Sequence, residues 1–439
     1  MRAGGWSLAS HVVGQGLRFA TNLVMTRLLV PEMFGLMAIA NMVMIGLALM
    51  SDLGLRQSVV QSPRGGEPSF LNTVWIVQIL RGIGICALAA LAALMLRLAA
   101  YLGMASPGSV YADPSLPLVI ATLGLGAAVS GFDSTRALEA SRRLALGRIT
   151  QIELLAQCVG ILAMVVLATV EHSVWVLVGG SLASSAARTV LTHAWLPGVP
   201  NRLRWERGHA REILHFGKWV FLSSVLTYFG SASDMMMLGA LVSAPVLGVY
   251  SIAILLLNAA EQIVMRLTGD VAFPALSEVA RDRPQDLRQT FYRFHFGMAA
   301  FSFACSGLFA AAAPSIVHRL YDPRYADAGW MLQILAVGLI AVPCRLHAMS
   351  LLALGQAREH AVFVAVRLAA ILVSVPLGFH LGGMFGVVWG IALSYLTYLP
   401  SAFLLSRRNG LLDLRREVLP LPTVAGGWLV GLVAARLLG

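Results

Sequence analysis

Four polar residues, His11, Gln15, Arg18 and Asn22, interrupt an apolar run from Trp6 to Leu28 that is long enough to cross a bilayer. Their steps of four, three and four residues place them on one face of an α-helix, while Leu8, Val12, Val13, Phe19 and Leu23 fall largely elsewhere. A charge at the bilayer centre costs from about 2.5–3.5 kcal/mol on insertion scales to more than ~10 kcal/mol in simulation, so such an arginine belongs on a face turned to protein or to a water-filled cavity. Further arginines interrupt later apolar runs at Arg81, Arg188, Arg345 and Arg367. A guanidinium keeps its proton when desolvated, and its fixed fork meets a phosphate bidentately, so these arginines suit an anionic cargo such as a diphosphate. The plainer account is that each snorkels or pairs with an acid inside the bundle. Depth and the polar neighbours Gln15 and Gln78 favour a cavity for Arg18 and Arg81, whereas pairing explains Arg188, Arg345 and Arg367 at least as well.

Acids stand in or at the ends of the apolar runs at Asp52, Asp133, Glu153, Asp234, Glu261 and Asp270. Any of them could take up a coupling proton or sodium ion. Asp234 and Glu261 are preferred because they fall on apolar runs of the second half, Glu153 is retained as a further candidate, and pairing with an intramembrane arginine competes with that role. Asp52 and Asp270 read as caps of cytoplasmic helix ends. His347 follows Arg345 by two residues, on a different helix face, and reads as a packed or boundary histidine. Tyr395 and Tyr398 could line a sugar passage, although packing is the simpler account. The glycines Gly382, Gly386 and Gly390 repeat at helical spacing and predict close helix packing. No P-loop, HExxH or nucleophile-elbow pattern occurs, so no catalytic residue is expected. The cysteines Cys86, Cys158, Cys305 and Cys344 lie singly in apolar runs, which predicts neither disulfides nor a zinc site. No metal and no cofactor beyond a coupling ion is expected.

The elements that must position these groups follow from composition. With 439 residues, 58% of them hydrophobic and 12% charged, and a mean hydropathy of +0.77, the chain reads as an all-α polytopic membrane protein. Apolar runs predict spans near 6–28, 34–51, 71–96, 116–132, 149–169 and 174–196, then 215–238, 248–267, 293–313, 328–354, 360–379 and 383–405, with a thirteenth near 418–438. One set of alternate loops is rich in arginine: Arg56 and Arg64; Arg136, Arg142, Arg143 and Arg148; the stretch from Arg202 to Lys218; Arg281, Arg283 and Arg288; Arg358; and Arg407 to Arg416. The opposite loops are basic mainly at Arg27, Arg97, Arg319 and Arg324, so the amino terminus is expected in the cytoplasm of a bacterial inner-membrane protein. That placement also accounts for the net charge of +11 without nucleic acid. The first run is too long and too polar in its middle for a cleaved signal peptide.

An internal repeat organises the spans. At an offset of 213 residues, Arg27–Ala40 aligns with Ala240–Ala253, Gly35 meets Gly248 and Ala40 meets Ala253, each at the turn between the first two spans of a six-span half. The same offset carries His11, Gln15, Arg18 and Asn22 onto Ser224, Tyr228, Ser231 and Met235, beside Asp234. An even number of spans between the copies makes the repeat parallel. The predicted division is an amino-terminal lobe 1–196, a basic cytoplasmic linker 197–214, a carboxyl-terminal lobe 215–406 and an extra span within 407–439.

Several segments carry a family resemblance: TRLLVPEMFGLMAIA after the first span, DLGLRQSVVQ from Asp52, ALEASRRLALGR from Ala137, SVWVLVGG from Ser173, LGVYSIA from Leu247 and FPALSE from Phe273. In order and spacing the chain resembles the polysaccharide transporter branch of the multidrug, oligosaccharidyl-lipid and polysaccharide exporter superfamily. The resemblance implies a V-shaped pair of six-helix lobes with alternating access. It also implies, as cargo, a polyprenyl-diphosphate-linked oligosaccharide flipped outward for exopolysaccharide, capsule or O-antigen assembly, among membrane lipids and alongside polysaccharide assembly proteins. A thirteenth span departs from the commoner twelve or fourteen. Two other functions stay open: an antiporter of small molecules or drugs, which would want an acidic or aromatic cavity, and a membrane-embedded glycan polymerase or ligase. The latter would need a large outer loop, whereas the longest here, Ala99 to Ser115, is short.

Overall fold

The computed structural model describes the backbone of residues 2–143, 145–354 and 356–438; outside the description lie the side chains of residues 2–13, 61, 146, most of 214–231, 270, 352, 353, 357, 358, 360 and 361. Among the described residues every regular element is helical. The chain forms two compact units, one of Met1–Ala232 with Val242–Leu247, the other of Ser233–Leu241 with Gly248–Gly439.

The first unit contains α1 (Arg2–Leu28), α2 (Pro31–Leu49), α3 (Leu55–Gln61), α4 (Pro68–Tyr101), α5 (Leu116–Gly131), α6 (Arg136–Arg142), α7 (Leu146–Ala168), α8 (Trp175–Trp195) and most of α9 (Arg207–Leu241). Proline opens α2 and α4, where a missing N–H costs no helical hydrogen bond. Between α2 and α3 the chain turns at Gly54 (φ 59°), whose N–H donates to Asp52 Oδ1 at 3.0 Å, so Asp52 closes the turn between these two helices. Small residues set the closest approaches: Gly82 and Gly131 bring α4 against α5, and Gly160 faces Gly180 between α7 and α8. In a bilayer, where lipid offers apolar side chains as good a home as protein does, such close backbone contact is what holds helices together.

The second unit follows with α10 (Ala244–Arg266), a π-helical turn (Leu267–Ala272), α11 (Phe273–Asp282), α12 (Leu287–Leu320), α13 (Ala328–Leu335), a 3-10 run (Ala336–Ala341) and α14 (Cys344–Ala353). It ends with α15 (Ala357–Leu396), α16 (Tyr398–Arg408), α17 (Leu414–Val418) and α18 (Pro422–Leu438). The long α15 is broken at Gly382 and Gly383, the latter at φ 55° and ψ −137°, a conformation costly for any residue with a Cβ. The break separates the runs expected at 360–379 and 383–405. The glycine repeat therefore divides its labour: Gly382 makes the turn, while Gly386 and Gly390 lie against the backbone of Gly378 and Ser374 across it. The carboxyl-terminal α18 packs lengthwise on α12, where Gly307, Gly427 and Gly431 each sit against the partner helix; a Cβ on Gly427 would fall 2.0 Å from the Ala304 carbonyl oxygen.

Helix occupies each of the thirteen stretches expected to span. Among the described residues, eight helical segments are long and apolar enough to cross a membrane, or nine with α5 and α6 taken as one segment bent by 66°. α8 is not among the eight, because Ser181, Ser184, Ser185, Arg188, Thr189 and Thr192 dilute its apolar surface.

Candidate functional site

In the first unit Arg81 and Gln78 hold helix ends. Arg81 on α4 donates from Nη2 to the Ala48 carbonyl at 2.7 Å and from Nε to Ser51 Oγ at 3.3 Å, satisfying groups that the end of α2 leaves open. Three residues earlier on the same helix, Gln78 Nε2 donates to the carbonyls of Gly131 at 3.1 Å and Asp133 at 2.9 Å, closing the end of α5. Arg188 pairs with buried Asp133 at 3.3 Å, and Asp133 also accepts from Thr189 Oγ1 at 2.6 Å.

Arg18 differs from these. It is exposed on α1, with Gln15 half-buried beside it and Asn22 half-buried one turn on, the Asn22 Oδ1 shielded and without a hydrogen-bond partner. The His11 side chain, and that of Ser231 at the repeat-related position of Arg18, lie outside the described residues. α7 packs alongside, with Gln157 Nε2 donating to the Gly14 carbonyl at 3.3 Å and Glu153 exposed one turn away. Tyr228, the repeat counterpart of Gln15, is buried over Gly46, and its hydroxyl donates to the Met42 carbonyl at 3.3 Å.

Two of the segments that carry the family resemblance meet in this unit. Arg142, from ALEASRR, donates to the carbonyls of Val59 and Ser62 at the end of DLGLRQSVVQ, and Arg143 pairs with Glu139 at 2.6 Å. Arg136 donates to the His193 and Leu196 carbonyls at 2.8 and 3.0 Å, ending α8. The basic stretch that follows is pinned along this face: Asn201 bonds with Ser134 and Thr135, the Arg202 N–H donates to Asn72 Oδ1 at 2.8 Å, and the Glu206 N–H donates to Thr73 Oγ1 at 3.2 Å.

In the second unit the structure gathers four of the sequence candidates into one buried cluster. Arg345 on α14 pairs with Glu261 on α10 at 2.7 Å. Arg367 on α15, only 6% exposed, stacks over the Tyr395 ring at 4.1 Å and reaches Tyr398 at 5.9 Å, while Arg345 lies 5.9 Å from the other partner ring, Tyr398. Asp234 on α9 and Glu261 both attract Arg367 electrostatically, and Asp234 Oδ1 accepts the Met235 N–H at 2.9 Å. Fully buried Tyr250 on α10 lies in the field of Asp234, Arg367 and Tyr395. Two guanidinium groups and two carboxylates, interleaved with aromatic rings, make a cluster whose formal charges cancel, which is the condition for keeping ions out of water. Binding a cation or proton at either acid changes that balance at the meeting point of α9, α10, α14 and α15. Sequence reading noted every member but Tyr250, which stands in the LGVYSIA segment and is the residue that segment contributes.

Two units of long, apolar helices, with a few intramembrane charges and one compensated cluster among them, fit a multi-pass membrane transporter. The family described as polysaccharide biosynthesis protein matches residues 24–329, and the chain belongs to it. Over 98% of its length it is similar to the lipopolysaccharide biosynthesis protein WzxC of Escherichia coli (strain K12), at 24% identity and covering 87% of that protein. It is also similar to the succinoglycan biosynthesis transport protein ExoT of Rhizobium meliloti (strain 1021), at 23% identity over 80% of this chain and 69% of that one. Among solved structures, the lipid II flippase MurJ in an inward closed conformation matches with a TM-score of 0.68 at 11% identity, covering 99% of this chain and 96% of the other. An inward-facing multidrug resistance transporter of the MATE family matches with the same TM-score of 0.68 at 14% identity, covering 90% and 94%. At such identities the structural likeness is one of fold, and it establishes the two-lobe helical fold expected from the repeat. The chain is a transporter of polysaccharide biosynthesis and not an enzyme.

Proposed function

We propose that this protein flips a polyprenyl-diphosphate-linked oligosaccharide from the cytoplasmic to the outer leaflet of a bacterial inner membrane, by alternating access, with its amino terminus in the cytoplasm. The observation that carries the reading is the family match over residues 24–329. Relatives named for lipopolysaccharide and succinoglycan synthesis and a fold shared with a lipid II flippase support it. In this reading Arg18, exposed on a polar stripe with Gln15 and Asn22, contacts the diphosphate, and His11 belongs to the same stripe. Arg81 and Gln78 hold the ends of α2 and α5 so that this stripe keeps its place. The cluster of Asp234, Glu261, Arg345 and Arg367 is the ion-responsive element, and a proton or sodium ion at one of its acids resets the carrier. Glu153, exposed on α7, is a second place for the coupling ion. A membrane potential that is negative inside favours outward movement of an anionic headgroup by roughly 2.3 kcal/mol per charge per 100 mV, so ion coupling need only return the empty carrier. Membrane lipids surround the transporter, and polysaccharide assembly proteins receive its product.

Purified protein in liposomes should move a lipid-linked oligosaccharide between leaflets, read by enzymatic access to the sugar from outside. No movement under an imposed ion gradient and potential would overturn the proposal. Drug efflux in the same vesicles would favour the antiporter, and chain elongation in their place would favour a polymerase.

A further inference from the structure

Besides the charge cluster, the second unit buries another group of titratable side chains. His295 on α12 and His347 on α14 are 3% and 1% exposed, and between them lies Glu417 on α17, its side chain 9% exposed. His295 Nε2 is 3.3 Å from Glu417 Oε2, and His347 Nε2 is 3.4 Å from Glu417 Oε1; the three donor atoms all lie within 4.8 Å of one another. Four-coordinate zinc with bonds of about 2.0–2.2 Å spaces its ligand atoms about 3.3–3.5 Å apart, and each imidazole stands at about that spacing from its own oxygen of Glu417, which bridges the two rings.

The surroundings orient the donors. His347 Nδ1 meets Ser406 Oγ, which turns Nε2 towards Glu417, yet Nε2 is a buried nitrogen with no aligned hydrogen bond. A ring nitrogen at that distance from a carboxylate is held there by a cation, either its own proton or a metal ion between the two. The carboxylate is steered in turn: the Tyr292 hydroxyl donates to Glu417 Oε1 at 2.8 Å and accepts the Asp413 N–H at 2.7 Å, and Asp413 pairs with Arg288 at 3.0 Å. Phe291 lies against both imidazoles, with ring centroids 5.6 Å from His295 and 4.6 Å from His347, and covers the site. Ligands backed by such outer hydrogen bonds are what a metal site requires.

We propose that His295, His347 and Glu417 bind a divalent transition cation of the zinc class, which clips the carboxyl-terminal pair α17–α18 to α12 and α14. Two imidazoles and one carboxylate suit zinc and its neighbours over magnesium or calcium, which prefer all-oxygen sites. The ligands come from three elements far apart in the chain, so the ion would fasten the segment that leads into α18 where it meets the lobe.

The test uses the full-length protein in detergent, with any affinity tag removed and no chelator. Metal analysis after gel filtration should find about one zinc per chain, held by three protein ligands with water in the fourth position. His347→Gln and Glu417→Gln should lose it. In the unaltered protein a strong chelator should lower the melting temperature and added zinc should restore it, with no response in either variant. As a reading that does not depend on the folding of the variants, cobalt(II) added to the chelated wild-type chain should give the intense visible spectrum of a four-coordinate site. A metal-free preparation whose melting temperature ignores zinc, or a weak six-coordinate cobalt spectrum, overturns the proposal. Neither measurement involves transport, so failure here leaves the flippase reading intact.

Discussion

The two units hold their intramembrane arginines differently. In the first, Arg81, Gln78 and Arg136 donate to the carbonyls that helix ends leave open, so each does the work of a cap, whereas Arg188 pairs directly with a buried acid, Asp133. In the second, Arg345 and Arg367 are balanced by Glu261, Asp234 and tyrosine rings. A capping arginine answers to the position of a helix; a compensated cluster answers to the charge state of its acids. The first arrangement suits a scaffold that must not change when cargo arrives, the second a place where an ion can change the packing.

Breaking the second unit's cluster should give the largest effect. Glu261→Gln leaves Arg345 buried without its partner, and losing one half of such a pair costs about 3–5 kcal/mol. A large fall in melting temperature is expected, with flipping lost. The double substitution Glu261→Gln with Arg345→Met should recover much of the stability and none of the ion dependence, because it removes the stranded charge along with the pair. If the single variant melts like the wild type, the pair is not the buried, compensated contact described here.

The next effect falls on the α12–α18 contact. A side chain at Gly427 has no room beside the Ala304 carbonyl, so Gly427→Leu should force the helices apart at a cost of about 1–3 kcal/mol. Protease sensitivity confined to the carboxyl-terminal segment would report it, and unaltered protection would mean that α18 contributes little to the unit.

How far these contrasts could be read in the sequence depends on distance along the chain. The helices follow from local apolarity and from Pro31 and Pro68, and the two-lobe fold follows from the repeat, because both signals sit within a few residues or at a fixed offset. The partner of a buried arginine has no such local mark. Arg345 and Glu261 are more than eighty residues apart, and nothing in either segment says that α10 and α14 turn those faces together. The same is true of His295, His347 and Glu417, where His347 alone reads as a packed histidine. The glycine repeat on α15 was half legible: its spacing reports close packing, but that Gly382 would break the helix depends on Gly378 and Ser374 returning to face Gly386 and Gly390. The stretch Pro197 to Arg211 reads as a linker by composition, and only tertiary contacts from Asn72, Thr73 and Thr135 reveal that it is bound.

The smallest effects on stability should separate two arginines of the first unit. Arg81→Ala removes two hydrogen bonds and leaves the end of α2 to the Ser51 hydroxyl, a loss of about 1–3 kcal/mol. Flipping should fall with it, in proportion to the loss of folded protein. Arg18 is exposed on α1, so Arg18→Ala should leave the melting temperature where it was. If Arg18 contacts the diphosphate, that variant should nonetheless fail to flip, and Arg18→Lys should restore the activity only in part, because an ammonium keeps the charge and loses the two-pronged geometry. Flipping at the wild-type rate by Arg18→Ala would take the cargo contact away from this helix. Loss of stability in that variant would make Arg18 one more residue that holds the first unit together, and would erase the distinction between it and Arg81.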